Sequence, residues 1–180
     1  MNDADMAGAD KIEIDGQILA FGKNLRRARR RARFTQVELS TAAPLDRAAI
    51  SRLECGERAP DLPTLLRICA ALELEPKDLL RGIGPEVSPR AVPRRAQASS
   101  SDPGARFGAN LKWARDRAGI SQERLALDAK VDRAAISVYE NAGREPNLRT
   151  VLKLALKLEI RPGLLLEGVG PEADRARTGR

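Results

Sequence analysis

With 180 residues the chain has room for one or two domains, and no apolar run is long enough to span a bilayer. It contains no histidine, its two cysteines lack metal-ligand spacing, and it has neither a Gly-rich phosphate loop nor a nucleophile beside a base, which argues against a zinc site, a cofactor or an enzyme. The net charge of +7 points to a polyanion, and an aromatic content of 3% leaves no stacking platform for single strands, so duplex DNA bound by an all-α protein is expected.

Residues 1–14 are polar and acidic and read as a disordered arm, although Lys11 to Ile14 alternates like a short strand. This N-terminus lacks the basic-then-apolar order of a signal peptide, and free cysteines suit the cytoplasm. Asp15 is a candidate cap for a helix that turns Ile18, Phe21, Leu25, Ala28 and Ala32 inward and the basic run Arg26 to Arg33 outward. The stretch TQVELSTAAPLDRAAISRLE follows from Thr35 to Glu54, and it returns without a gap as SQERLALDAKVDRAAISVYE from Ser121 to Glu140. Each position n of the first copy therefore has its counterpart at n + 86.

Within each copy two short helices lie a few residues apart. Thr35 and Ser121 are hydroxyl N-caps for the first, and Asp46 and Asp132 are candidate caps for the second. In the second helix Ile50 and Leu53, or Ile136 and Tyr139, point inward. Arg47, Ala48, Ser51 and Arg52 then face outward, giving a slim basic surface of the kind that can enter a major groove. A Gly- and Pro-containing loop follows, with Arg58 and Arg144 at the same place in each copy, and then an amphipathic helix from Leu62 or Leu148. Pro76 and Pro162 open a last short helix. Residues 85–101 are a Pro, Ser, Ala and Arg mixture without apolar period and read as a flexible linker; residues 173–180 read as a loose tail. The organisation expected is thus a domain at 15–84, the linker, and a second domain at 102–172.

Three coincident features carry a family likeness: the capped Gln36 and Gln122, the ISxxE runs Ile50 to Glu54 and Ile136 to Glu140, and the Leu-Leu ends at Leu79 and Leu165. With these the chain resembles, over Phe21–Gly84 and Phe107–Gly170, the helix-turn-helix domain of the phage repressor and Cro (Xre) family. The resemblance implies two tandem five-helix, lambda-repressor-like domains that read double-stranded DNA. By the family's pattern, base contacts fall to Arg47, Ala48 and Arg52 and to Arg133, Ala134 and Val138. Phosphate contacts fall to Gln36, Arg58, Gln122, Asn141 and Arg144. The same pattern implies structural ion pairs between Arg29 and Glu54 and between Arg115 and Glu140.

Two departures stand out. The family favours Gly in the turn between the two short helices, where these copies have Pro44 and Lys130; because the proline ring fixes φ near about −65°, a remodelled turn is expected in the first copy. Trp113 replaces Arg27 on the outer face of the first helix and fits either a surface position or a domain or dimer contact. The function implied is a bacterial or phage transcription regulator, a repressor, in the cytoplasm and at the nucleoid. It acts either as a homodimer or as an internal pseudo-dimer, with room for a regulatory protein partner. The competing reading is an antitoxin or antiactivator in which one copy binds a protein instead of DNA.

Overall fold

A computed structural model describes residues 3–85, 102–141 and 143–170, with side chains from residue 8 onward. Its described residues are all-α, with ten helices in two sets of five. The first set is α1 (Asp3–Arg31), α2 (Gln36–Ala42), α3 (Arg47–Glu54), α4 (Leu62–Ala71) and α5 (Pro76–Leu79). The second is α6 (Pro103–Ala118), α7 (Gln122–Ala129), α8 (Arg133–Glu140), α9 (Leu148–Lys157) and α10 (Pro162–Leu165).

Local chemistry starts most of these helices. The Glu38 amide donates to Thr35 Oγ1 at 3.1 Å while the Thr35 amide donates to the Glu38 carboxylate at 2.6 Å, a reciprocal capping box for α2. Ser121 accepts from Arg124, Asp61 from Thr64, and Asn147 from Thr150, each at an equivalent helix start. Asp132 accepts from the Ala134 amide at 2.7 Å, but Asp46 holds the N-cap position of α3 without a side-chain hydrogen bond. The aliphatic stripes then close each core: Ile18, Phe21, Leu25, Leu39, Ile50, Leu65 and Ile68 are fully covered in the first set, and Phe107, Leu111, Leu125, Ile136, Val151 and Leu152 in the second. Phe107 meets Tyr139 edge to face, the ring centroids 6.1 Å apart.

The expected arm at residues 1–14 is corrected: α1 runs from Asp3, so Lys11 to Ile14 is helical and Asp15 lies within the helix instead of capping it. Ile14 continues the inward stripe of Ile18, Phe21 and Leu25, and it is buried because α1 packs along α9 of the other repeat. No local reading of the sequence supplies that partner. The expected linker, apart from Pro85, and the expected tail lie outside the described residues.

The two repeats pack through reciprocal contacts. Asp61 and Asn147 form an isolated antiparallel bridge. Around it the Leu62 amide donates to the Pro146 carbonyl at 3.1 Å and the Leu148 amide to the Pro60 carbonyl at 2.8 Å. Helix α5 packs on α10. A Cβ placed on Gly84 would come within 2.6 Å of Pro162 Cδ, and one on Gly170 within 3.2 Å of Pro76 Cδ. Each of these contacts either joins a residue or helix to its own counterpart or is repeated with the partners exchanged, the mark of a two-fold relation.

Candidate nucleic-acid interface

Each helix-turn-helix is held to the first helix of its repeat by an arginine and a carboxylate. Arg29 Nε donates to Glu54 Oε1 at 2.5 Å and Nη2 to Oε2 at 3.0 Å, while Nη1 donates to the Phe34 carbonyl at 2.8 Å. The second repeat repeats the fork: Arg115 reaches Glu140 at 2.7 and 3.2 Å and the Ile120 carbonyl at 2.9 Å. The Glu54 and Glu140 side chains are only 3% and 4% exposed, so both carboxylates depend on these donors for the solvation they lack. Burial pushes the Glu54 pKa up, but hydrogen bonds from Arg29 and Gln36 and the nearby positive charge outweigh it, holding the carboxyl below its ordinary value. Hydrogen bonding to Glu54 raises the Arg29 pKa, and hydrogen bonding to Glu140 raises that of Arg115.

The approach of the first helix to the recognition helix needs glycine. A Cβ on Gly22 would lie 2.5 Å from the Leu53 carbonyl oxygen and 2.6 Å from that of Glu54, and Gly108 meets the Tyr139 and Glu140 carbonyls in the same way. The Phe-Gly pairs at 21–22 and 107–108 were a visible signal for this contact. Asn24 and Asn110, also equivalent, each donate to two carbonyls of the closing helix and its end, Asn24 to Leu79 and Arg81, Asn110 to Leu165 and Glu167. Sequence reasoning missed both pairs, although their identity across the repeat could have found them.

Arg47, Ala48 and Arg52 are exposed on α3, and Arg133, Ala134 and Val138 on α8. The two surfaces differ. Arg133 is paired with Glu123 of α7 at 2.6 Å, both side chains more than half exposed. Val37 stands where Glu123 would be in the first repeat, and Arg47 has no ion pair among the described residues. Val138, 39% exposed, replaces the guanidinium of Arg52 with a small apolar tip.

The residues assigned to phosphates are less uniform. Arg58 and Arg144 are exposed in the loops after the recognition helices. Gln36 and Gln122 are turned inward: their Nε2 atoms donate to Glu54 Oε2 at 2.9 Å and Glu140 Oε2 at 2.7 Å, which makes them part of the buried networks and leaves one amide hydrogen each for another acceptor. Asn141 folds back on its own helix, donating to the Ser137 carbonyl at 2.9 Å.

The turn of the first repeat closes without a left-handed residue at Pro44; Lys130, its counterpart, has φ 50°. Ala43, at φ −101°, is the C-cap of α2, yet the Leu45 amide still returns to the Ser40 carbonyl at 2.9 Å, as Val131 returns to Ala126 at 3.0 Å. The remodelling is thus confined to the turn, and α3 keeps its packing on α2. Trp113 is half-buried against the core, with the Arg117 guanidinium 5.7 Å from its ring centre.

No described helix is long and apolar enough to cross a membrane, and no described group of His, Cys, Asp or Glu side chains is placed to hold a metal. Cys69 is buried, with its thiol pushed up to about 12, and Cys55 is exposed.

Two family models match the sequence, "Helix-turn-helix domain" over residues 20–82 and "Helix-turn-helix" over residues 111–165. Over 68 residues the chain is 35% identical to an uncharacterized HTH-type transcriptional regulator, YonR, derived from the SPbeta prophage of Bacillus subtilis (strain 168). That alignment covers 38% of this chain and 63% of YonR, so the chain spans less than two thirds of that relative. Among solved structures it is similar to the restriction-modification controller protein C.AhdI from Aeromonas hydrophila, with 31% identity over 36% of this chain and 97% of that one and a TM-score of 0.35.

Proposed function

Because the chain belongs to the phage repressor and Cro (Xre) family of helix-turn-helix proteins, with two such domains in tandem, we propose that a single copy is a complete two-headed reader of duplex DNA and acts as a transcriptional repressor. The observation that carries this reading is the reciprocal packing of the repeats about Asp61 and Asn147, which pairs two recognition helices inside one chain. Arg47 and Arg52 of the first helix suit guanine, whose O6 and N7 accept from a guanidinium; Arg133 suits guanine and Val138 a thymine methyl group in the second. The two half-sites are therefore related but unequal, about one helical turn apart, roughly 34–36 Å. Arg58 and Arg144 fix the register on phosphates, which carry no sequence information, joined by Asn141 and the remaining amide hydrogens of Gln36 and Gln122. Occupancy of a promoter by such a reader blocks it without a ligand or cofactor, in the cytoplasm and at the nucleoid.

Selection of bound duplexes from a random pool at physiological salt tests the reading. A motif with two unequal half-sites is expected. Recovery of no motif, with binding that vanishes steeply as salt rises, would leave only non-specific attraction and overturn it.

A further inference from the structure

Among the described residues, one contact between the repeats is not repeated with the partners exchanged. Helix α6 begins at Pro103, the equivalent of Gln17, and in the sequence the positions equivalent to Asp10, Ile14 and Asp15 are Ala96, Ser100 and Ser101, so the second repeat does not share these side chains. The extension of α1 that carries them in the first repeat crosses to α9. Lys157 Nζ donates to Asp10 Oδ1 at 2.8 Å and lies 2.7 Å from Oδ2; these side chains are 21% and 29% exposed. One turn further, Arg149 Nη1 donates to Asp15 Oδ1 at 2.6 Å, and Ile14, on the intervening turn, is 1% exposed. Helix α9 in turn packs on α7, the first helix of the second helix-turn-helix.

We propose that the extension of α1 is a brace that sets the angle between the two readers, and that Asp10, Ile14 and Asp15 thereby determine which half-site spacing the chain accepts. This rests on the reading of both repeats as DNA readers. The brace adds to the reciprocal contacts a second connection, which joins the first helix of one repeat directly to the helix that supports the reader of the other. A second half-site then binds as an intramolecular event, whose effective concentration is highest at the matching span and collapses where the geometry forbids both contacts. Two carboxylates of the extension, Asp10 and Asp15, which would repel phosphate, are at the same time neutralised by Lys157 and Arg149.

The test compares the wild-type chain, the charge-reversed Asp10→Lys/Asp15→Arg variant, and a quadruple variant that adds Lys157→Asp and Arg149→Asp to restore both pairs in reverse. Spin labels on Cys55 and on its counterpart, through Asn141→Cys, report the distance between the readers without DNA. Unlabelled proteins are titrated with duplexes carrying the two half-sites at spacings stepped by one base pair. A narrow distance distribution and one preferred spacing are expected for the wild type. The double variant broadens the distribution and narrows the gap between best and neighbouring spacings about tenfold, roughly 1.4 kcal/mol; the quadruple variant restores both. An unchanged distribution in the double variant, or a broadened one with an unchanged spacing profile, overturns the brace. A wild type with no preferred half-site overturns the DNA reading instead, while the distance measurement still reports on the brace.

Discussion

Asp61 and Asn147 hold the same place in the two repeats and lie opposite each other in an antiparallel bridge, each also capping the helix that follows it. A residue pairs with its own counterpart only at a two-fold axis, and in symmetric dimers that axis relates two chains. Here it relates two halves of one chain. The consequence reaches Gly84, whose φ of 89° and approach to Pro162 both exclude a side chain. Gly84→Ala should loosen the repeats without touching either recognition helix. Affinity for a duplex with two half-sites is expected to fall by about ten- to a hundredfold while affinity for an isolated half-site stays unchanged, as read by titration of both duplexes.

Glu54→Ala should leave the Arg29 guanidinium buried without its carboxylate and cost about 3–5 kcal/mol, measured as a fall in the urea midpoint. The wild-type pair also makes stability depend on pH. Since the folded-state pKa of Glu54 lies below its unfolded value of 4.5, its contribution is fully present above that value and is lost as pH falls through the lower, folded one. The acid-induced loss of stability should be smaller in Glu54→Gln, which has no carboxyl to protonate there.

Specificity should sit on the exposed faces of α3 and α8. Arg47→Ala and Arg133→Ala are each expected to cost about 1–3 kcal/mol on the preferred site and to relax selection at one base position. Converting Arg52→Val should make the first half-site resemble the second, because position 138 already holds valine. Repeating the duplex selection with each variant reads these changes directly.

Arg58→Ala and Arg144→Ala should weaken binding to all sequences alike, each lowering the slope of log affinity against log salt by about 1. Salt titrations on the selected duplex and on a scrambled one measure it; a loss confined to one base position would contradict the phosphate role.

Much of the helical frame was legible because the signals are local. Thr35, Ser121, Pro76 and Pro162 mark helix starts by chemistry confined to a turn, and the repeat allowed each stripe to be read twice. What escaped depends on partners distant in sequence. The helical register of Ile14 makes sense only with α9 packed beside it, and Lys11 to Ile14 alternates well enough to suggest a strand when read alone. The inward turn of Gln36 and Gln122 is likewise invisible without Glu54 and Glu140 in place, although all four residues stood in the same motif. The difference between Glu123, paired with Arg133, and Val37 was in plain view but has no consequence until α7 and α8 are set side by side.

The central claim, that one chain is a complete two-headed reader, is tested most directly by the mass of the protein bound to its selected duplex, determined by analytical ultracentrifugation or native mass spectrometry. The account predicts one chain of 19.6 kDa per duplex carrying both half-sites. Two chains on that duplex, each using one repeat, would contradict it.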